Sequence, residues 1–135
     1  MADWTPDELD AIGAADELRI TVPRGDGSAG RTVPIWVVRV DGSLYIRSYR
    51  GSTAGWYRRA LAAGTAHVDA GDVSRDVVVE VPDTRTTSAI DREYRRKYAH
   101  FGGSYVTPMT ALAAQEATLS IRPADQNAQP GRNPS

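Results

Sequence analysis

Apolar and polar positions alternate along this chain with two different periods, and the changes from one to the other mark out its elements. Leu18, Ile20 and Val22 alternate with Arg19, Thr21 and Pro23, the two-residue period of a half-buried strand. Arg31 to Val40 predicts a second strand. Its apolar run from Ile35 to Val38 implies burial on both faces, and Pro34, which has no N–H to give a neighbour, implies a bulge or a sheet edge. Asp41-Gly42-Ser43 reads as a hairpin turn into a third strand, Leu44 to Ser48. Thr65 to Ala70 and Ser74 to Val81 form a second hairpin about Gly71-Asp72, and Thr118 to Arg122 supplies a closing strand.

Helical signals fall between these strands. Thr5-Pro6-Asp7-Glu8 is a helix start, since Thr5 can accept from the amide three residues on, Pro6 suits the first turn and Glu8 completes a capping box. A short helix to about Ala14 follows. Trp56 to Ala63 predicts a helix closed by Gly64. From Ser88 to about Tyr98, Ile90, Tyr94 and Tyr98 recur every four residues on one face, with Arg92, Arg95, Arg96 and Lys97 elsewhere. After a Gly102-Gly103 break, Ala111 to Ala117 predicts a last helix. The segment from Ala124 onward has nothing to anchor a core and is expected to be disordered.

Six short strands joined mostly as hairpins, with one helix after the third and others near the ends, imply a mainly β (α+β) fold. The expectation is a six-stranded antiparallel barrel with short peripheral helices, one domain over residues 1–123 and a tail over 124–135. A barrel of this size can take a ligand at its mouth or at an oligomer seam.

Composition narrows the chemistry. Among 135 residues there is no cysteine, so thiolate catalysis, iron–sulfur clusters and cysteine zinc sites are excluded. Any redox role then depends on a bound organic cofactor. Two histidines, His67 and His100, cannot build a three-histidine metal centre and neither sits in an H-E-x-x-H spacing. No G-x-S-x-G elbow is present for a serine nucleophile. No apolar run approaches the ~20 residues that span a bilayer, and the acidic N-terminus does not read as a secretory signal, so the expected compartment is the cytoplasm.

A net charge of -1 argues against a nucleic-acid binder but hides an uneven distribution. Residues 1–23 hold six acids against one base, whereas Leu44 to Gly64 holds four arginines, Arg47, Arg50, Arg58 and Arg59, and no acid. Within it, Arg47-Ser48-Tyr49-Arg50-Gly51 stands where a strand gives way to a loop before a helix. Arginine forks and hydroxyls match phosphate oxygens, glycine lets backbone amides approach, and the helix start adds partial positive charge. The same arginines can equally lie on a solvated strand edge. Trp56-Tyr57 can pack on a flat heterocycle or staple the helix to the barrel. Arg24 and Arg31 flank a glycine-rich hairpin and can add donors to the same ligand, and Tyr105 can be presented to a pocket after the glycine break.

Read together, the glycine-containing hairpin flanked by basic residues (Arg24 to Arg31), Pro34 with its apolar strand, Asp41-Gly42, the strand ending Arg47-Ser48-Tyr49-Arg50-Gly51, and Trp56-Tyr57 with its helix resemble the core of the deazaflavin-dependent nitroreductases. These belong to the FMN-binding split-barrel superfamily. Over nearly the whole ordered chain, phrases such as Pro34-Ile35-Trp36-Val37-Val38-Arg39, Leu44-Tyr45-Ile46-Arg47-Ser48, Gly55-Trp56-Tyr57 and Lys97-Tyr98 resemble an uncharacterised, mainly actinobacterial domain family of that superfamily. The resemblance implies a split barrel, often a homodimer, that binds FMN or the 8-hydroxy-5-deazaflavin coenzyme. It places Arg24, Arg31, Arg47, Ser48, Arg50 and Gly51 at the cofactor and Trp56 and Tyr57 in support. The implied activity is hydride transfer to or from a small aromatic or unsaturated substrate, faced by Tyr45 or Tyr105.

The segment between Gly51 and Trp56 is shorter than in the deazaflavin enzymes, and Gly25-Asp26-Gly27-Ser28 puts an acid where phosphate approaches. These departures support a second reading, a cofactor-free cyclase, isomerase or small-molecule binder with Tyr45, Tyr105, Asp76 or His100 as acid–base groups.

Overall fold

The computed structural model describes residues 3–23, 30–48, 51 and 54–124, and of residues 103–105 the backbone alone. The chain begins with α1 (Pro6–Ala14), whose start is the capping box read from the sequence. The Thr5 hydroxyl accepts from the Glu8 amide at 3.1 Å and the Glu8 carboxylate from the Thr5 amide at 3.0 Å. Then come β1 (Leu18–Thr21), β2 (Thr32–Ile35), β3 (Val37–Val40) and β4 (Ser43–Arg47). Helix α2 (Gly55–Ala63) ends at Gly64, whose φ of 73° is the left-handed turn that glycine adopts without strain. The hairpin of β5 (Thr65–Ala70) and β6 (Val73–Glu80) follows, and α3 (Thr87–Tyr98), α4 (Gly103–Thr110), α5 (Leu112–Glu116) and β7 (Thr118–Pro123) complete the chain.

All seven strands join one antiparallel sheet in the order β2-β1-β5-β6-β7-β4-β3. The two outermost strands are consecutive in sequence, separated by Trp36 alone. The chain therefore crosses from one end of the sheet to the other within a single residue, which curls the sheet into a half-barrel. This accounts for seven strands where the pattern predicts six: the expected strand Arg31 to Val40 is broken at Trp36 into β2 and β3. Pro34 lies in β2, at the sheet edge, where its missing N–H costs no ladder bond.

The break creates two apolar layers. Val37, Leu44 and Ile46 face the barrel interior with Leu18, Ile20 and Ile121, whereas Val38 and Tyr45 face outward into a second cluster with Ile90, Tyr94 and Tyr98 of α3 and Met109 of α4. Both faces of β3 and β4 are thus covered near the break, as the unbroken apolar run implies. Helix α1 is tied to the barrel through Arg75–Glu8 at 2.5 Å and Arg39–Asp10 at 2.8 Å. Ala124, the first residue assigned to the tail, is buried and donates its amide to the Asp76 carbonyl. The rest of the expected tail, residues 125–135, lies outside the described residues. No helix among the described residues is long and apolar enough to cross a membrane.

Candidate functional site

A cleft of about 960 Å³ opens between the β2–β3 break, the end of β4, the start of α2 and α4. Small-molecule sites commonly span ~300–1,000 Å³, so this volume accommodates a nucleotide-sized ligand. Trp36 and Pro34 contribute from the break, Arg47 and Ser48 from β4, Gly55, Trp56 and Arg59 from α2, and Met109 from α4. Arg31 precedes β2 and is exposed along the same wall. Among the described residues, three arginines and no carboxylate line the cleft. Its charge suits an anion.

Arg47 is held internally. Burial of β4 between two layers carries its side chain, fully shielded from solvent, toward α3, where Nη1 pairs with the Asp91 carboxylate at 2.5 Å and donates to the Met109 carbonyl at 2.7 Å. Its Nε donates to the Thr118 hydroxyl at 2.8 Å, and the guanidinium carbon stands 5.2 Å from the centre of the Tyr94 ring. Gln115 fixes the other oxygen of Asp91, donating to it at 2.9 Å. Burial and the ring's apolar surroundings push the Tyr94 phenol far above its ordinary range, so it stays neutral beside this pair. Nη2 of Arg47 is buried without a hydrogen-bond partner.

Arg59 is different. It lies in the second turn of α2, forms no ion pair or hydrogen bond among the described residues, and its Nε is buried without a partner. Gly55, one turn earlier, makes room for it: a Cβ there would meet Arg59 Nη1 at 2.9 Å. Two guanidinium groups of the cleft thus each keep one buried nitrogen without an acceptor, Nη2 of Arg47 and Nε of Arg59. Leaving such donors unmatched costs ~1–3 kcal/mol each unless a ligand or water accepts from them. The donor set therefore fits a phosphate or carboxylate group.

Two indoles supply flat apolar surface. Trp56 is nearly buried and packs edge-on against Tyr57, with planes at 87°. Trp36 stacks on Tyr98, whose hydroxyl accepts from the Val37 amide at 3.1 Å and also lies 2.8 Å from the Asp16 carbonyl.

Of the residues singled out from the sequence, the fold brings Arg31, Arg47, Ser48 and Trp56 to the cleft. Gly51 is buried close by with φ 76° and packs on Ala113, and its amide donates to the Ser48 carbonyl. Tyr57 is a staple: its ring joins the barrel core and its hydroxyl donates to the Glu116 carbonyl at 3.3 Å. Tyr45 lies in the outer cluster under α3, away from the cleft lining. Arg24 and Arg50 lie outside the described residues, as does the side chain of Tyr105, which falls in the first turn of α4. His67 is on the β5 surface and His100 is exposed.

Sequence reasoning missed Arg59, Trp36 and Asp91 as parts of this region. Arg59 was visible within the acid-free segment, with a glycine four residues before it. Trp36 reads as core in a continuous apolar run, and nothing local joins Asp91 to an arginine 44 residues earlier.

This architecture, a curled antiparallel sheet with helices over one outer face and an arginine-lined cleft at its break, is a split β-barrel. The chain belongs to the family described as uncharacterized proteins conserved in bacteria (DUF2255), whose model matches residues 8–121. No curated protein matches the sequence. Among solved structures, the chain is similar to the conserved hypothetical protein Rv2991 from Mycobacterium tuberculosis, at 14% identity over 93% of this chain and 82% of that one, with a TM-score of 0.60. An F420-H2 dependent reductase, FDR-A, is similar at 19% identity over 79% of this chain and 93% of the other, with a TM-score of 0.58. The heme storage protein HutZ from Vibrio cholerae gives 11% identity over 89% of each chain, also with a TM-score of 0.58. At these identities the likeness is one of fold.

Proposed function

We propose that this chain is a split-barrel oxidoreductase that holds FMN or the 8-hydroxy-5-deazaflavin coenzyme in the cleft and acts on a small aromatic or unsaturated substrate. The observation that carries the reading is an arginine wall with no acid among the described lining residues: Arg59 has no partner among the described residues, and Arg47 and Arg59 each keep a buried nitrogen without an acceptor. Arg59 and Arg31 bind the anionic end of the cofactor, with the free N–H of Arg47 as a further donor. Trp36 and Trp56 offer apolar surface to a flat ring and keep water from it. When bound, the cofactor supplies two-electron chemistry that no side chain of a cysteine-free protein provides. The proposal includes a homodimer, whose formation could cover exposed apolar side chains such as Leu61 and Leu112.

The test is to add FMN and the deazaflavin separately to purified protein and follow absorbance and melting temperature. At a free ligand concentration a hundred times Kd, binding to the folded state alone adds about 2.7 kcal/mol, a rise of several degrees. A shift with either cofactor supports the reading, and none with both overturns it.

A second reading, a cofactor-free cyclase, isomerase or small-molecule binder, is favoured by the internal engagement of Nε and Nη1 of Arg47. Asp91, Met109 and Thr118 take most of the donors that a phosphate would use. Binding of small carboxylates or inorganic phosphate without any spectral or thermal response to the two cofactors would distinguish it.

A further inference from the structure

Arg47 and Arg59 line the same cleft in different electrical states. Of the five N–H groups of the Arg47 guanidinium, three are engaged inside the fold. Nε donates to the Thr118 hydroxyl at 2.8 Å, and Nη1 to the Asp91 carboxylate at 2.5 Å and the Met109 carbonyl at 2.7 Å. Nη2 remains, buried and without an acceptor, on a side chain that lines the cleft. Arg47 is 1% exposed and Asp91 7%, so solvent screens the pair little and the two charges cancel at contact. Gln115 donates to the second Asp91 oxygen at 2.9 Å and to the Thr110 carbonyl at 3.0 Å, which holds the carboxylate in that pose. What β4 presents to the cleft is thus a polarised donor of no net charge.

Arg59 has no carboxylate or other acceptor among the described residues and keeps its full charge. An anion beside it finds an unopposed cation. An anion at Nη2 of Arg47 would instead meet the Asp91 carboxylate across a single guanidinium, and would give up its hydration for a pair that carries no net charge. An uncharged carbonyl or amide oxygen gives up far less and accepts from an N–H that the pair polarises. Trp36, Trp56 and Met109 line the same cleft with apolar surface suited to a flat ring.

We propose that the cleft selects a flat ring bearing an uncharged carbonyl or amide oxygen for Arg47 and a single anionic end for Arg59, and that Asp91 sets this selection by cancelling the charge of Arg47. The inference deepens the reading of the cleft as a ligand site and rests on it. Asp91 is a positioning residue that acts through Arg47, and the same pair excludes ligands with an anion at both ends.

Small aromatic probes test the selection without either cofactor. Benzamide and benzoate share a shape and differ in charge. Both are titrated at pH 7 in phosphate-free buffer, followed by ligand-observed NMR, into a chain carrying Arg31→Gln and Arg59→Gln, which leaves Arg47 alone among the described arginines of the cleft. Benzamide is expected to bind about tenfold more tightly than benzoate. Adding Asp91→Asn should reverse the order, because Arg47 then presents an unopposed charge, whereas a merely structural role for Asp91 would weaken both probes alike. Should that variant fail to fold, Arg47→Met with Asp91→Leu removes the pair. Benzamide is then expected to lose about tenfold while toluene, which offers no oxygen, loses nothing. Equal binding of the two probes, a preference for benzoate while Asp91 is present, binding of neither, or benzamide affinity unchanged by loss of the pair overturns the proposal. Because no flavin is used, a chain that prefers benzamide and ignores both cofactors keeps this selection and loses the redox reading, while one that binds FMN without preferring benzamide does the reverse.

Discussion

The Trp36 indole lies flat on the Tyr98 ring, with 3.9 Å between centroids and 1° between planes. This pairing joins the one residue that interrupts the strand to the last turn of α3. The Tyr98 hydroxyl and Lys97 amine bond the amide and carbonyl of Val37, so α3 satisfies backbone groups that a terminal strand has no neighbour to satisfy. The same clasp sets the indole that lines the cleft.

Tyr98→Phe keeps the stacked ring and removes the hydroxyl. The Val37 amide is then left buried and unpaired, and the expected loss is about 1–3 kcal/mol in a urea titration, with little change in tryptophan emission. Tyr98→Ala removes the ring as well, costs about 3–5 kcal/mol and shifts emission to the red as Trp36 loses its cover. Equal emission spectra for the two variants would show that the stack does not hold the indole.

Asp91→Asn tests the buried pair. With Arg47 wholly shielded, loss of its counter-charge leaves an uncompensated cation in the interior, an expected cost of about 3–5 kcal/mol. Replacing both, Arg47→Met with Asp91→Leu, should recover most of that loss, because no charge then remains to be solvated. A double-mutant cycle in urea measures the coupling, and additive effects would mean that the pair is not formed.

The fold was legible wherever a local signal carries its own geometry. Thr5 and Glu8 cap α1, Gly64 ends α2 in a left-handed conformation, and the alternation of Leu18, Ile20 and Val22 buries all three. Trp36 was not legible as a break, since an apolar run looks the same whether or not a strand changes neighbours within it. The acid-free segment draws attention to the end of β4, but the surroundings of Arg47 depend on Asp91, a residue brought near only by α3 packing. Tyr45 and Arg47 sit two apart on β4 and share its outer face, both beside Tyr94 and Met109, yet only Arg47, at the strand end, lines the cleft.

His67 gives the fold a pH dependence. Its Nδ1 lies 2.8 Å from the Asp76 carboxylate and its Nε2 2.9 Å from the Ser74 hydroxyl and 3.5 Å from Asp69, across the β5–β6 hairpin. The bond to Asp76, with help from the charge of Asp69 and against partial desolvation, raises the imidazole above its ordinary value. A raised folded value means that the contribution is complete below the unfolded pKa of about 6.5 and is lost as pH rises through the folded one. His67 is partly exposed and solvent screens the pair, so the amplitude is at most about 1 kcal/mol. Urea midpoints should fall between pH 6 and 8 in the natural chain and fall less in His67→Gln; the same slope in both would exclude the clasp.

Arg59 offers the sharpest separation of binding from stability. It has no partner among the described residues and a buried Nε without an acceptor, so Arg59→Gln removes an unmatched donor and should leave stability unchanged or raise it by up to about 1–3 kcal/mol. If the cleft holds an anionic ligand through this side chain, the same change weakens binding about tenfold, since a charge-assisted bond contributes ~1.5 kcal/mol or more. Gly55→Ala reaches the same guanidinium by another route: the new methyl would come within 2.9 Å of Nη1, the flexible end of the side chain, which can swing aside while the helix gains a better former. Its melting temperature should be unchanged or higher and its ligand affinity lower. Titration calorimetry with FMN and with inorganic phosphate reads both variants, and full affinity in the two of them would place the anion elsewhere in the cleft.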